Sequence, residues 1–237
     1  MKKLNVNIDH VATLRQARLG TYPDPIEIAQ LVEKTKASGV VMHLREDRRH
    51  IQDYDLKNYK KIIKIPLNLE IAPTNEMISI ANRIEPNMVT LVPEKRKELT
   101  TEGGLDIVSN FKKLQKLISI LNKKIKVMLF IDPKIKIIDR CYQLGVHGIE
   151  INTGKYCEAK KKSIAKEIEN IKKGSRYAEE LGLYVAAGHG LNTNNIGNIA
   201  KIKYIKEYNI GHSIISDSIS LGIVKSTNRI YNIINKK

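Results

Sequence analysis

Short apolar segments recur along the whole chain and alternate with longer stretches that have helical character. The segments are rich in β-branched residues or leucine, which is typical of buried parallel strands joined by helices. Because no break in composition divides the chain, we expect one closed (β/α)8 barrel, with residues 1–237 as a single domain; an open doubly wound sheet is the alternative. The eight predicted strands are Leu4 to Asp9, Val40 to Leu44, Pro66 to Ile71, Met88 to Pro93, Lys126 to Ile131, Gly148 to Thr153, Tyr184 to His189 and Ile205 to His212.

Capping residues indicate where the intervening helices begin and end. Asp24-Pro25 and Asp132-Pro133 each place an N-cap before the proline that is favoured at the first helical position, so we expect helices to start there. Three other helices are expected to end at Ser38-Gly39, Leu144-Gly145 and Leu181-Gly182, where glycine can adopt the left-handed conformation.

The chain is strongly basic, with 41 Lys and Arg against 25 Asp and Glu and a formal charge of +16. Lysines are scattered along predicted helices, without an arginine-rich block or a nucleic-acid-binding motif. We therefore expect anionic small molecules as partners and no nucleic acid, with a basic nucleic-acid-binding module as the minor alternative.

No apolar run is long enough to span a membrane, and the first residues lack the apolar region of a signal peptide. These features predict a cytoplasmic protein without a membrane partner. Cys141 and Cys157 have no CxxC spacing and are interpreted as ordinary thiols.

Polar side chains suited to acid–base chemistry or ligand binding collect where the predicted strands end. Active sites of (β/α)8 barrels lie at this carboxyl end, so the clustering predicts an enzyme. Of the six histidines, only His147 falls at the opposite end of a predicted strand, and His50 lies in the loop after the second. The candidates at strand ends are Asn7, Asp9, His10, His43, Arg45, Glu70, Glu150, His189, Gly190, Gly211 and His212.

Glu70 is predicted to be buried among apolar neighbours, where an unpaired carboxylate is costly. A core glutamate paired with Arg45 is the structural alternative to a catalytic group. Burial favours the protonated form of Glu70 and Arg45 favours the charged form, so the sequence does not fix the pKa.

The segment HLREDRRH, from His43 to His50, combines arginines and histidines in a way that suits an anion such as phosphate. A metal site is a weaker interpretation, because the spacing does not match HExxH and no cysteine is near. Arg48 and Arg49 individually are interpreted as solvated ion-pairing residues.

Two predicted loops place glycine just before a helix start, in GHGLNTNN and IGHSIISDS. Backbone N–H groups and a helix N-terminus bind anions there, so we expect phosphate beside Gly190 and Gly211-His212.

The polar segment from Glu98 to Gly104 is predicted to be a lid.

The motifs NVNIDHVATLRQAR, HLREDRRHI, LVPEKRKELTTEGGLD, IEINTG, AGHGLN and NIGHSII resemble the pyridoxine 5′-phosphate synthase family, in order, from the first strand to the last helix. The resemblance implies a TIM barrel with extra helices, assembled as a homo-octamer built from dimers. It implies a transferase-type condensing synthase of vitamin B6 synthesis, which joins 3-amino-2-oxopropyl phosphate to 1-deoxy-D-xylulose 5-phosphate. The products are pyridoxine 5′-phosphate, phosphate and water, and no redox cofactor or metal is required.

The resemblance also implies residue roles at matching positions. His43 and Glu70 correspond to proton acceptors, His189 to the proton donor, and Glu150 to a group that stabilises the transition state. The aminoketone phosphate site corresponds to Asn7, Arg18, Gly190, Gly211 and His212. The sugar phosphate site corresponds to Asp9, His10, Arg45, His50 and Thr100. Asn152 stands where some members have histidine.

Another phosphosugar aldolase or isomerase on the same barrel is the alternative function. A Schiff-base aldolase would need a lysine at a strand end, whereas Lys126 begins the fifth strand and Lys206 has no clear exit position. Because strand ends converge on one cavity in a closed barrel, we expect His43, Glu70 and His189 to act as one acid–base unit.

Overall fold

The computed structural model describes residues 1–94 and 103–236. Eight parallel strands close into a barrel in chain order, each paired with the next and the last with the first. The predicted (β/α)8 barrel is confirmed. The strands are β1 (Lys3–Asn7), β2 (Gly39–His43), β3 (Leu67–Ile71), β4 (Met88–Leu91), β5 (Lys126–Ile131), β6 (Gly148–Asn152), β7 (Tyr184–Gly188) and β8 (Glu207–Ile210).

Helices cover the outside of the barrel, and extra helices accompany three of the connections. Two helices separate β1 from β2, two separate β6 from β7, and two follow β8. Within the described residues, no helix is both long and apolar enough to cross a membrane. The helices are α1 (Asp9–Gln16), α2 (Pro25–Glu33), α3 (Asp53–Ile62), α4 (Asn75–Ile84), α5 (Phe111–Ser119), α6 (Ile135–Gln143), α7 (Gly154–Cys157), α8 (Lys161–Glu180), α9 (Ile196–Ala200), α10 (His212–Leu221) and α11 (Ile223–Ile234).

One of the two predicted helix starts is confirmed. The Asp24 side chain accepts a hydrogen bond from the Ile26 N–H, and Pro25 is the first residue of α2. The other prediction is wrong, because α6 begins at Ile135 rather than at Pro133. The Asp132 carboxylate is occupied elsewhere: it accepts a hydrogen bond from Lys155 Nζ at 3.0 Å and lies 3.3 Å from Asn152 Nδ2.

Gly145 and Gly182 have positive φ, as predicted for glycines that end helices. The prediction for Gly39 is wrong, because Gly39 is the first residue of β2. Glycine is needed there for space, since a Cβ atom would lie 2.7 Å from the Pro66 carbonyl oxygen. Six of the eight strands end one or two residues earlier than predicted, and in two of these cases the predicted last residue, Asp9 or His212, begins a helix.

Part of the barrel lumen is polar, although bulky aliphatic side chains dominate the interior of many barrels. Buried polar groups require hydrogen-bond partners, and these side chains pair with each other. Thr90 Oγ1 donates to Asn68 Oδ1 at 2.9 Å, and Asn5 Nδ2 donates to Asn209 Oδ1 at 3.0 Å.

A buried ion pair fixes α1 against α3 beside the cavity mouth. The Arg15 guanidinium donates to both carboxylate oxygens of Asp55, at 2.8 and 2.7 Å, and the two side chains are 2% and 1% exposed. Arg15 also donates to the carbonyl oxygen of His50 at 3.2 Å. This pair therefore positions the loop that carries His50.

We expect Arg15→Met to lower the free energy of unfolding by about 3–5 kcal/mol, because it leaves the Asp55 charge buried without its partner. Arg176→Met is the matched control; it breaks the exposed Arg176–Glu180 pair, and we expect a much smaller loss because water screens this pair. Urea unfolding measures both. Similar losses for the two variants would contradict the assigned role.

Candidate active site

A cavity of about 650 Å³ opens at the carboxyl ends of the strands. The (β/α)8 fold brings residues from distant parts of the chain together there. Most of the candidates from the sequence lie on its wall: Asn7, Asp9, His10, His43, Arg45, His50, Glu70, Glu150, His189, Gly190, Gly211 and His212. His147 lies at the other end of the barrel, stacked on the Tyr184 ring.

Of the candidates within the described residues, Arg18 is not on this wall. Arg18 follows the end of α1 and is exposed. Thr100 and most of the predicted lid lie outside the described residues. Arg48 forms ion pairs with Asp53 and Glu76, which confirms its interpretation as an ion-pairing residue.

Arg49 combines two features. Its guanidinium contacts Asp47 at 2.6 Å, as expected of a solvated ion pair, but Arg49 also lines the cavity. The interpretation of Arg49 as an ion-pairing residue is confirmed, and its position adds a cation to the cavity wall.

His43 is held on three sides. Its backbone N–H donates to Asp9 Oδ1 at 2.8 Å, its ring Nε2 lies 2.8 Å from Glu94 Oε1, and its ring Nδ1 lies 3.9 Å from Glu70 Oε2. A carboxylate at Nε2 favours the proton on that nitrogen in the neutral ring. The nitrogen that faces Glu70 is then free to accept a proton.

The sequence analysis did not single out Glu94, although it lies within the LVPEKRKELTTEGGLD motif. Burial tends to raise the pKa of Glu94, but the hydrogen bond and charge of His43 and the N–H of Glu46 lower it, and the net shift is downward. Glu94 therefore stays a carboxylate. It orients the His43 ring from the opposite side to Glu70.

Glu70, unlike Glu94, has a pKa that is shifted upward. Burial raises its pKa well above the ordinary value of 4.5, and the negative charges of Glu150 and Asp9 raise it further. The sequence left open whether burial or the charge of Arg45 decides the pKa of Glu70, and burial decides it. Glu70 therefore holds its proton to a higher pH than an ordinary carboxyl group does.

Glu150 is 3% exposed and lies deeper in the cavity. Burial is the main cause that raises its pKa from 4.5 to about 8, and the charge of Glu207 adds to it. A hydrogen bond from Asn209 Nδ2, at 2.6 Å, acts in the other direction. Glu150 therefore changes its protonation state near physiological pH, which suits a general acid or base.

Two histidines on the wall are held neutral. Burial lowers the pKa of His10 and of His50, and in both cases it outweighs the attraction of Asp9. His50 Nδ1 accepts a hydrogen bond from the Ile51 N–H at 2.8 Å, so its proton is on Nε2. The His10 ring lies 4.9 Å from that of His212, centroid to centroid.

His189 occupies a turn that is unusual for its side chain. Its φ is +77°, and Gly190 follows at +78°. A non-glycine residue in this region costs about 1–3 kcal/mol and persists only where its surroundings hold it. The Thr153 hydroxyl lies 2.6 Å from the His189 carbonyl oxygen, and the His189 ring packs edge-on to Phe130.

The two glycine loops meet on one side of the cavity. Gly211 precedes the first turn of α10, and a Cβ atom there would lie 3.0 Å from that of Asn7. Ser213 Oγ donates to the Leu191 carbonyl oxygen at 2.9 Å, which joins the loop after β8 to the loop after β7. A helix N-terminus beside glycine backbone suits a phosphate group.

Asn152 does not lie on the cavity wall. Its Oδ1 accepts a hydrogen bond from the Gly154 N–H at 2.9 Å, and its Nδ2 lies 3.3 Å from Asp132 Oδ1. Asn152 therefore shapes the turn into α7.

Ligand atoms of Asp9, His43 and Glu70 lie within 4.8 Å of one another, which is close enough for a metal ion. The carboxylate of Asp9 already accepts the His43 N–H, and Glu70 has a raised pKa. Metal binding needs deprotonated ligands, so this group favours proton transfer over metal binding.

A family model described as "Pyridoxal phosphate biosynthesis protein PdxJ" matches residues 4–236. The chain belongs to this family. It is 52% identical over 236 residues to the pyridoxine 5′-phosphate synthase of Sulfurihydrogenibium sp. (strain YO3AOP1), covering 98% of this chain and 97% of that one. The synthase of Trichlorobacter lovleyi is 47% identical over 238 residues, with 100% of both chains covered. The family expected from the motifs is confirmed, and with it an enzyme of vitamin B6 synthesis.

The barrel is also found in more distant proteins. The orotidine 5′-monophosphate decarboxylase of Methanocaldococcus jannaschii, in complex with the inhibitor BMP, superposes with a TM-score of 0.64, at 16% identity and with 100% of both chains covered. At this identity the likeness shows the fold alone.

The raised pKa of Glu150 predicts a pH-dependent stability. Between its ordinary value of 4.5 and about 8, the folded protein holds a proton that the unfolded chain has released, so stability falls as pH rises through this range. Glu150→Gln keeps the shape and an acceptor for Asn209 but does not titrate. We expect the wild type to lose about 2–4 kcal/mol relative to this variant between about pH 5 and about pH 8.

Urea unfolding at each pH measures the difference, and Glu180→Gln on the exposed end of α8 is the control. Parallel stability curves for the wild type and Glu150→Gln would show that Glu150 ionises normally in the folded protein.

Proposed function

We propose that the chain is a pyridoxine 5′-phosphate synthase, acting as one catalytic domain. It condenses 3-amino-2-oxopropyl phosphate with 1-deoxy-D-xylulose 5-phosphate to give pyridoxine 5′-phosphate, phosphate and water. One observation carries the proposal: two glutamates with raised pKa values share a cavity with histidines on one side and two glycine loops on another.

The cavity offers separate regions for two phosphate groups. Gly190, Gly211 and the first turn of α10 suit the aminoketone phosphate, beside Asn7. Arg45 and His50, with Asp9 and His10, suit the sugar phosphate. Arg49 lines the second region and adds a cation to it. The assigned roles of Arg18 and Thr100 remain proposals from the family resemblance.

The reaction joins an amine to a ketone, eliminates phosphate, closes a ring and loses water, and each stage moves protons at carbon or oxygen. We assign His43 and Glu70 as proton acceptors and His189 as the proton donor. Because its raised pKa favours the protonated form, Glu70 must release this proton before it accepts another. His43 Nδ1, 3.9 Å from Glu70 Oε2, is placed to take it.

Glu150 is assigned to stabilise charge that develops in the transition state. As a neutral acid it can donate a hydrogen bond to an oxygen that becomes negative, which a carboxylate cannot do. No cofactor is part of this scheme.

The proposal includes a cytoplasmic homo-octamer built from dimers, as the family resemblance implies. Large apolar side chains on and after α1 provide surface that suits a subunit contact, because Leu14, Leu19 and Tyr22 are 59%, 86% and 81% exposed.

A Schiff-base aldolase is the weaker candidate. Such an enzyme needs a lysine amine in the cavity, and the cavity wall within the described residues has none. A basic nucleic-acid-binding module accounts for the charge but not for the enclosed acid–base groups.

We expect purified protein mixed with both substrates to form pyridoxine 5′-phosphate and release phosphate together. Glu70→Gln and His43→Asn should each lower turnover by about 10²- to 10⁴-fold while they keep the fold, because neither can relay the proton. Glu180→Gln is the surface control. If the wild type forms no product, the function is wrong; if both variants turn over at the wild-type rate, the catalytic roles are wrong.

A further inference from the structure

We infer that Asn209 is a positioning residue for the proposed reaction: held by Asn5, it orients the carboxyl group of Glu150 across the barrel lumen. The inference rests on the proposed role of Glu150. Asn209 lies on the last strand, at the start of the NIGHSII motif, and the residue roles implied by the family resemblance do not include it.

The contact between Asn209 and Glu150 passes over an intervening strand. Glu150 lies on β6 and Asn209 on β8, and Gly188 on β7 is paired in register with Asn209. A Cβ atom at Gly188 would collide with Glu150 Oε1. The glycine therefore opens the space in which a side chain from β6 reaches one from β8.

The direction of the Asn209 amide is set by Asn5 on β1. Asn5 Nδ2 donates to Asn209 Oδ1 at 3.0 Å, so this atom is the acceptor and Asn209 Nδ2 must point the other way. Nδ2 donates to Glu150 Oε2 at 2.6 Å. Asn5, Asn209 and Glu150 are 7%, 6% and 3% exposed, so bulk water is a poor substitute for this donor.

The charged groups around Glu150 make this neutral donor important. Glu207 on β8 raises the pKa of Glu150, and the charge of Glu150 in turn raises that of Glu70 on β3. His189, in the turn after β7, lines the same cavity. Within the described residues, Asn209 is the one hydrogen-bond donor that lowers the pKa of Glu150.

One consequence concerns the oxygen that carries the proton. Oε2 accepts the Asn209 N–H, so the proton of neutral Glu150 sits on Oε1, beside Gly188. Rotation of the carboxyl group would exchange the two oxygens. Asn209 therefore prevents the acid proton from turning away from its working position.

Asn209→Leu tests this role, since leucine has a similar size but no donor. We expect kcat to fall by about 10-fold with KM nearly unchanged, because neutral Glu150 loses the hydrogen bond that orients its carboxyl group. The inflection of the kcat profile that belongs to Glu150 should move to higher pH, because the hydrogen bond that favours the charged form is gone. Asn5→Leu should shift it in the same direction by less.

Asn68→Leu is the matched control, because Asn68 is also a buried asparagine of the lumen but pairs with Thr90. It should leave the inflection in place. A second measurement needs no turnover. The pH dependence of the free energy of unfolding, taken relative to Glu150→Gln, should shift in the same direction as the inflection of the kcat profile.

Two results would overturn the inference. One is a wild-type kcat and an unmoved inflection in Asn209→Leu. The other is an equal shift of the inflection in Asn68→Leu. If Asn209→Leu does not fold, Asn5→Leu decides by the same criteria. A wild-type protein that forms no product would overturn the proposed function, and the unfolding measurement would still decide whether Asn209 holds Glu150.

Discussion

The burial of two glutamate side chains in one cavity is the constraint on which the site depends. Glu70 and Glu150 come from strands on different sides of the barrel; Glu150 is buried, and the side chain of Glu70 is 15% exposed. Burial disfavours a carboxylate, and the charge of Glu150 adds to that effect on Glu70. The outcome is a pair of acids that hold protons where ordinary carboxyl groups have lost them. Proton transfer at neutral pH is the chemistry that this arrangement favours.

The surrounding structure makes such burial possible. Glu150 is satisfied by a neutral amide donor, whereas Glu94 is kept charged and orients the His43 ring. At the rim, the buried Arg15–Asp55 pair fixes the loop that carries His50. Each of these polar contacts crosses between elements that are distant in the sequence. The barrel fold therefore brings together the groups that hold the site in place.

The fold and much of the site could be predicted from the sequence, because strand spacing and the clustering of polar residues at strand ends are local patterns. Asn209 and Glu94 could not be singled out, since their roles follow from distances across the lumen and between loops. The helix start predicted at Asp132 was wrong because its side chain binds Lys155 instead of capping. The pKa of Glu70 depended on how burial and neighbouring charges combine in three dimensions.

The most direct test of this account is infrared spectroscopy of the protein in solution, as the difference between the wild type and Glu150→Gln across a pH titration. A protonated carboxyl group has a carbonyl stretch that a carboxylate lacks. The account predicts that the difference spectrum contains this band at neutral pH, because only the wild type has the Glu150 carboxyl group, and that the band disappears as the pH rises through about 8. A band that disappears near the ordinary pKa of 4.5 would show that Glu150 is already a carboxylate at neutral pH and would contradict the account.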